Sequence, residues 1–149
     1  MKKIYLVSDA DAAVREAFSS VKGVEQITLG VARAKRDALI TDFIPCIEIA
    51  YNPKKLDVTD ILGIFFKVIN PYVDTERELD EHPPYGVYYS SGEDAYQIEY
   101  YMKFMQLRGA EPAAACGNLI VNDSISEGHE PKFLNVEYLR LENFTPADS

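Results

Sequence analysis

The sequence predicts an α+β domain in which helices pack on a mostly antiparallel sheet. A length of 149 residues is typical of one domain, so residues 1–149 are expected to form a single domain. Hydrophobic residues make up 47% of the chain, which is enough to build a core. Segments with alternating polarity are interspersed with segments of helical periodicity. Their order, β-α-β-β-α-β-α-β-β, favours an α+β sandwich over a parallel doubly wound sheet.

The first part of the chain supplies two strands and a helix. Residues 2–8 predict a strand, and the helix that follows is expected to be capped by Asp9 and ended by Gly23. Residues 24–31 alternate apolar and polar side chains and predict a second strand. Residues 32–41 fit either a short helix or a loop.

The middle of the chain has the clearest pattern. Residues 43–51 predict a strand, although Pro45 removes one N–H donor near its start. Asp57 is a natural N-cap, and the apolar residues after it recur at helical spacing. The side of this helix that carries Phe65 and Phe66 is expected to pack on the sheet.

The rest of the chain supplies a long polar loop, a strand, a long helix and a hairpin. They are predicted at residues 72–84, 85–90, 91–107, and 113–121 paired with 132–141. Gly109 is expected to end the long helix. Polar loops of this length inside a compact domain often carry function.

Composition excludes several classes of function. The net charge of −9 argues against nucleic acid as a partner, because the basic residues cluster only at Arg33, Lys35 and Arg36. No apolar run is long enough for a membrane span or a signal peptide, so we expect a cytoplasmic protein without a membrane partner. No phosphate-binding glycine loop, dinucleotide fingerprint or Ser-His-Asp spacing is present, and we expect no cofactor.

Four segments occur in an order that resembles one known family. They are AFSSVKGVEQITLG, IEIAYNPKKLDVTDILGIFFKVINP, Asp80 followed by YGVYYSS, and LENFTPAD. The A-type peptide methionine sulfoxide reductases have similar segments, with PGV, then YDP and HDP, then a loop Asp before a strand ending in Tyr-Ser, then NFxPAE. The resemblance implies a two-layer sandwich with a ferredoxin-like core. The implied family activity is peptide-methionine (S)-S-oxide reductase.

The resemblance also indicates which positions would carry the family's chemistry. The family attacks the sulfoxide sulfur with a Cys at the start of the first helix, where free N–H groups favour a thiolate. An ungapped count places this Cys at Ala10, and the aromatic residues of the methyl pocket at Asp11 and Ala12. The Glu that acts on the sulfoxide oxygen falls on Pro45.

Two polar positions of the family pocket are kept. Asp80 matches the loop Asp, and Tyr85 matches the pocket Tyr. With Asp9 and Asp11 at the helix start, they define a predicted remnant pocket without nucleophile or acid. The resemblance therefore implies a catalytically silent family member that binds a small ligand or a peptide.

Two other interpretations stay open. An active reductase would need a displaced thiol, from Cys46 or Cys116. Cys46 follows Pro45 directly, so strand alternation points the two side chains to opposite faces. The sequence ends at Ser149, short of the tail in which the family often carries further cysteines. The third interpretation is a structural or oligomeric module, which an exposed apolar patch would favour.

Carboxylates suggest one further hypothesis. Asp9 and Asp11 are first interpreted as helix-capping residues, and the acidic loop as a solvated segment. The loop carries Glu76, Glu78, Asp80, Glu81 and His82. If this loop folded over the helix start, its oxygens would suit Mg²⁺ or Ca²⁺, or an amine-bearing ligand. No metal ligands are assigned on this basis.

Overall fold

Five strands form a closed ring of backbone ladders in the computed structural model. Strand β2 (Val24–Arg36) pairs with β4 (Ile44–Tyr51) on one side and with β8 (Val136–Pro146) on the other. Strand β1 (Lys2–Val7) joins β4 to β6 (Tyr85–Tyr89), and β6 pairs with β8. Every ladder of the ring is antiparallel except that between β6 and β8. The sheet is therefore mixed and barrel-like.

The structure describes residues 1–110 and 130–147, and three helices and several short elements complete this part of the chain. The helices are α1 (Asp11–Ser19), α2 (Val58–Val68) and α3 (Gly92–Ala110). The short strands are β3 (Leu39–Ile40), β5 (Tyr72–Val73) and β7 (Phe133–Leu134). Strand β3 extends β2 as a hairpin, and β5 pairs with β7. Within the described residues, none of the helices combines the length and the apolar character that a membrane crossing requires.

Alternation along the strands separates two apolar clusters. The outer face of the sheet packs on the helices, and its buried residues include Ile4, Leu6, Ile47, Ile49 and Tyr51. The inner face fills the barrel with a second cluster: Tyr5, Val7, Ala32, Ala34, Cys46 and Tyr88. Small side chains on β2 face large aromatic ones because a five-stranded ring leaves little room inside.

Gly30 allows the barrel to close. A Cβ at this position would lie within 2.6 Å of the Phe144 ring, and it would also meet the backbone oxygen of Thr145. Gly30 is paired with Pro146, near the end of β8. The absence of a side chain here therefore permits the close approach of β8 to β2.

Helix α2 confirms the sequence prediction in its start and in the packing of Phe65, whereas Phe66 is half-buried and stacks on Tyr101 of α3. The Thr59 N–H donates to Asp57 Oδ1 at 2.8 Å, and the Asp57 N–H donates to Asp60 Oδ2 at 2.9 Å. These two bonds form a capping box, which satisfies donors that the first turn would leave free. Phe65 is fully buried in the cluster between the helices and the sheet.

The predicted N-cap of helix α1 is wrong. The N-cap residue is Ala10 rather than Asp9, and no side chain caps the helix. Gly109 does not end α3 either, because the helix continues to Ala110. The small size of Gly109 is needed for packing, since a Cβ there would lie 2.6 Å from the Tyr72 ring.

Residues 32–41 are neither helix nor loop. They continue β2 as far as Arg36 and return through β3. Alanine and charged residues favour helix locally, but Ala32 and Ala34 alternate into the barrel while β4 and β8 hold the backbone. Tertiary pairing overrides the local preference.

Pro45 fits inside β4 because of its register. It lies opposite Val31 of β2. The Leu29 carbonyl points toward β8, where it accepts from the Ala147 N–H at 2.9 Å. Val31 lies two residues further on and has the same orientation, so the pair Val31–Pro45 exchanges no ladder hydrogen bonds. The missing N–H of Pro45 therefore leaves no gap in the β2–β4 ladder.

The class prediction is confirmed at its coarser level. The chain is a mixed α and β protein with helices on a mostly antiparallel sheet. The ferredoxin-like two-layer sandwich is not confirmed, because β8 joins β6 to β2 and closes the sheet into a ring. The second half of the predicted hairpin appears as β7 and β8, whereas residues 113–121 lie outside the described residues.

Candidate functional site

A cavity of about 310 Å³ opens at the end of the barrel where β1 ends and β4 begins. Its lining combines strand residues with the loop before β6: Val7, Arg36, Thr41, Asp42, Ile44, His82, Pro83, Pro84, Tyr88 and Glu137. Arg36 and Glu137 form a bidentate ion pair there, with Nε–Oε2 at 3.1 Å and Nη2–Oε1 at 2.5 Å. This pair joins β2 to β8 at the cavity wall.

The charges around this cavity are unequal. Hydrogen bonding to Glu137 raises the pKa of Arg36, so the guanidinium stays charged. Burial raises the pKa of the Tyr88 hydroxyl, and the charge of Glu137 raises it further, so Tyr88 stays neutral. Asp42 and Glu137 outnumber the single arginine in the lining. The cavity therefore favours a neutral or cationic guest over an anion.

Ala10 stands at the start of α1. Its N–H donates to Ser8 Oγ at 3.1 Å, and its carbonyl accepts from the Val14 N–H at 3.0 Å. The methyl group packs against the helix-side cluster. A helix N-terminus favours a thiolate, but the side chain here has no acidic or nucleophilic atom.

The structure brings two of the predicted pocket residues together. The Tyr85 hydroxyl lies close enough to the Asp9 carboxylate to sense its charge, and Asp9 itself is exposed. Burial raises the pKa of Tyr85, and the charge of Asp9 raises it further. Asp9 thus lies beside a neutral phenol near the start of α1, although it does not cap the helix.

Asp11 faces a different neighbour. One of its carboxylate oxygens is buried, and no described residue donates a hydrogen bond to it. Its charge also contributes to the raised pKa of Cys46. Asp11 is thus placed near the barrel-side cysteine as well as in the first turn of α1.

Cys46 is 1% exposed and lies in the cluster inside the barrel. Burial raises the pKa of its thiol to about 12, and the charges of Glu48 and Asp11 act in the same direction. A thiol with this pKa is protonated at neutral pH, and the fold also shields it from reagents. Cys116 lies outside the described residues.

Asp80 is held by a residue that sequence reasoning did not single out. Its N–H donates to Asn135 Oδ1 at 3.1 Å, and Asn135 Nδ2 donates to Asp80 Oδ2 at 3.0 Å. Asn135 is 5% exposed and lies between β7 and β8. The only signal for it was a lone Asn in the strand-like run FLNVEYL. Asp80 therefore fixes the loop to this junction.

The loop carboxylates do not gather at the helix start. Across residues 1–110 and 130–147, no three His, Cys, Asp or Glu side chains come together in a way that could hold a metal ion. Glu78 accepts instead from the Thr75 hydroxyl at 3.1 Å. The hypothesis of an oxygen-rich site over Asp9 and Asp11 has no support in this part of the chain.

Pro45 is exposed and has no acidic group. The structure places Arg36, Asp42, His82 and Glu137 at the barrel end. The sequence analysis named only His82 of these as a site candidate, in the acidic loop. Arg36 was read only as part of a basic surface cluster. Its pairing with Glu137, 101 positions later, depends on the closure of the sheet and leaves no local signal.

Comparison with known proteins gives a consistent result. The family profile described as peptide methionine sulfoxide reductase matches residues 2–116. The MsrA peptide methionine sulfoxide reductase of Metamycoplasma arthritidis is 25% identical over 124 residues, covering 76% of this chain and 80% of that protein. The enzyme of the same name from Mycoplasma pneumoniae is 21% identical over 144 residues, covering 90% of this chain and 92% of that protein.

Solved structures agree on the fold. Mxr1 from Saccharomyces cerevisiae, crystallised in an unusual oxidised form, aligns with a TM-score of 0.66 at 15% identity, covering 99% of this chain and 75% of that one. Methionine sulfoxide reductase A of Corynebacterium diphtheriae aligns with a TM-score of 0.54 at 13% identity, covering 91% of this chain and 70% of that one. The profile match spans most of the chain, and the shared fold extends over nearly all of it. The chain belongs to the peptide methionine sulfoxide reductase family.

Proposed function

We propose that this chain is a family member that does not reduce methionine sulfoxide and instead binds a small polar ligand at the barrel end. The proposal rests on the residue at the start of α1. The N-cap position, where a thiol would face the free N–H groups of the helix, is occupied by Ala10. The cysteine that the structure does describe, Cys46, is buried with a raised thiol pKa.

The chemistry explains why these two facts matter. Reduction through a covalent intermediate needs a thiolate that attacks sulfur, and an acid nearby that activates the sulfoxide oxygen. Ala10 supplies no nucleophile, and Pro45 supplies no proton. Asp9 and Asp11 are poor substitutes, because attack by a carboxylate oxygen does not give a sulfenic acid that thiols recycle. Loss of a covalent nucleophile commonly lowers the rate by many powers of ten.

The first test is an activity assay. The purified chain is incubated with a methionine-S-sulfoxide peptide and dithiothreitol, and methionine formation is followed by mass spectrometry. We expect no turnover above the rate without protein. Cys46→Ser and Cys116→Ser serve as matched controls. Turnover in the parent chain that either substitution abolishes would show that a displaced cysteine had taken over the reaction, and would refute the proposal.

The second test addresses the ligand. The excess of carboxylates in the cavity lining supports a guest with an amino group. In an NMR titration, 1,4-diaminobutane should shift the amide signals of Arg36 and His82, whereas butyrate should not. Asp42→Asn should weaken the amine response, and Asp74→Asn, which lies outside the cavity lining, should leave it unchanged. Equal responses to the amine and to butyrate would count against a cationic guest.

A further inference from the structure

Strand β2 is longer than the strand that closes the barrel against it. Strand β8 pairs with Gly30–Lys35, and its last contact is the bond from the Ala147 N–H to the Leu29 carbonyl at 2.9 Å. Strand β4 continues on the other side of β2 down to Val24. The first five residues of β2, 24–28, therefore have a sheet neighbour on one side only among the described residues.

The register shows which backbone groups this edge presents. In an antiparallel ladder, the N–H and C=O of one residue point to the same side, and successive residues alternate. The Leu29 carbonyl points to the β8 side, so the N–H and C=O of Ile27 also point there. No described strand reaches Ile27 on that side. A peptide that continued the line of β8 would meet these groups at ladder spacing.

A cavity of about 510 Å³ lies along this edge. Its lining comes from both faces of the sheet and from the end of β8: Lys3, Arg15, Gln26, Ile27, Thr28, Leu29, Glu48 and Pro146. Arg15 belongs to α1 on the outer face, whereas Glu48 lies beside Tyr5 on the inner face. Side chains of an added strand would alternate between these two faces.

The charges in this cavity select the chemistry of the guest. Glu48 is 7% exposed; its Oε2 accepts from the Tyr5 hydroxyl at 2.9 Å and lies 3.8 Å from Lys3 Nζ. The Glu48 carboxylate in the lining thus already has a hydrogen-bond donor and a nearby cation. Arg15 is exposed and has no carboxylate within ion-pair distance among the described residues. An acidic side chain on the guest would supply one.

We propose that this edge of β2, which has no partner strand among the described residues, binds an extended acidic peptide as an additional strand, with a carboxylate directed at Arg15. The mode is β-strand addition, in which main-chain hydrogen bonds give affinity and alternate side chains give specificity. Pairing would also cover an edge that soluble proteins otherwise protect. This site is distinct from the barrel-end cavity, and the inference does not depend on the absence of reductase activity.

The test uses the full-length chain and three synthetic peptides. The first is an acetylated seven-residue peptide amide of alternating valine and aspartate. The second carries an N-methyl group at every backbone amide, which removes the N–H donors from both of its edges. The third replaces aspartate by lysine. In ¹⁵N–¹H spectra, the aspartate peptide should shift the amides of Ile27 and Leu29 and slow the hydrogen exchange of Ile27. The two other peptides should leave both signals in place.

Two substitutions separate specific recognition from general attraction. Arg15→Gln should weaken binding of the aspartate peptide about tenfold, which is the scale of one charge-assisted hydrogen bond. Arg33 lies on β2 but outside this cavity. Arg33→Gln should change the affinity for the aspartate peptide less than about twofold. Equal binding of the N-methylated peptide, equal effects of the two substitutions, or no shift at Ile27 and Leu29 would each overturn the proposal.

Discussion

At the scale of single residues, Cys46 and Pro45 show how one strand separates two environments. Pro45 is exposed, whereas Cys46 is 1% exposed inside the barrel. Alternation along β4 produces this difference, as the sequence predicted. Burial and two neighbouring carboxylates keep the Cys46 thiol protonated, so its proton affinity depends on the fold.

The first prediction concerns the pH dependence of stability. Folding raises the pKa of Cys46 from 9.0 to about 12, so the stabilising effect of the proton is complete below pH 9 and is lost as pH rises toward about 12. Cys46→Ala should therefore lose less stability between these pH values than the parent chain. Urea unfolding at a series of pH values measures the difference; parallel losses would contradict a raised thiol pKa.

How much of the candidate site could be predicted differs from residue to residue. Tyr85 and Asp9 do lie close together, because the start of β6 was predicted correctly and the N-cap of α1 to within one residue. Asp80 binds Asn135 instead of joining them, and this contact spans 55 positions. Hydrogen bonds between distant loops have no periodic signal in a sequence, so neither Asn135 nor the Arg36–Glu137 pair was foreseen.

At the scale of elements, the two short helices begin in different ways. Helix α2 has a complete capping box, whereas α1 begins at an N-cap Ala10 without a side-chain cap. Both starts contain aspartates, so the sequence pattern alone did not distinguish them. The difference arises because the Asp57 carboxylate accepts from the Thr59 N–H, whereas no side chain accepts from the first turn of α1.

The second prediction follows from this contrast. Asp57→Ala should lower the free energy of unfolding by about 1 kcal/mol, since it removes the acceptor for the first turn of α2. Asp9→Ala should change it by less than about 0.5 kcal/mol, because Asp9 caps nothing and is exposed. Chemical unfolding of both variants provides the comparison. A larger loss for Asp9→Ala would show that the proximity of Asp9 to Tyr85 stabilises the fold.

The third prediction tests the junction of β2 and β8. Gly30→Ala places a methyl group against the Phe144 ring and the Thr145 backbone, so the barrel must open locally. Overpacking of this kind costs about 1–3 kcal/mol. Gly92→Ala is the matched control, because nothing lies within 4 Å of a Cβ there and alanine favours helix. If both variants were equally stable, tight closure at Gly30 would not be needed.

At the scale of the whole molecule, the sequence predicted the elements better than their assembly. Strands and helices with clear periodicity were found close to their predicted bounds, as for β1, β4 and α2. Closure of the sheet was not foreseen, because it depends on β8 pairing with both β6 and β2. Such pairing joins residues far apart in the chain, and local periodicity carries no information about it.

The last prediction concerns the charge of the whole chain. A net charge of −9 destabilises a compact state through self-repulsion. The partly buried pairs Lys2–Asp94 and Arg36–Glu137 lie where salt screens poorly. Raising NaCl from about 0.01 M to about 1 M shortens the Debye length from roughly 30 Å to roughly 3 Å, and should therefore raise the urea midpoint.

One exposed carboxylate separates this repulsion from other effects of salt. Glu81 lies in the acidic loop and has no ion-pair partner among the described residues. Glu81→Gln should raise the urea midpoint at low salt, because it removes one negative charge from an acidic surface. The gain should vanish at high salt, where long-range repulsion is already screened. A gain that is the same at both salt concentrations would assign the effect to local structure instead of the charge of the chain.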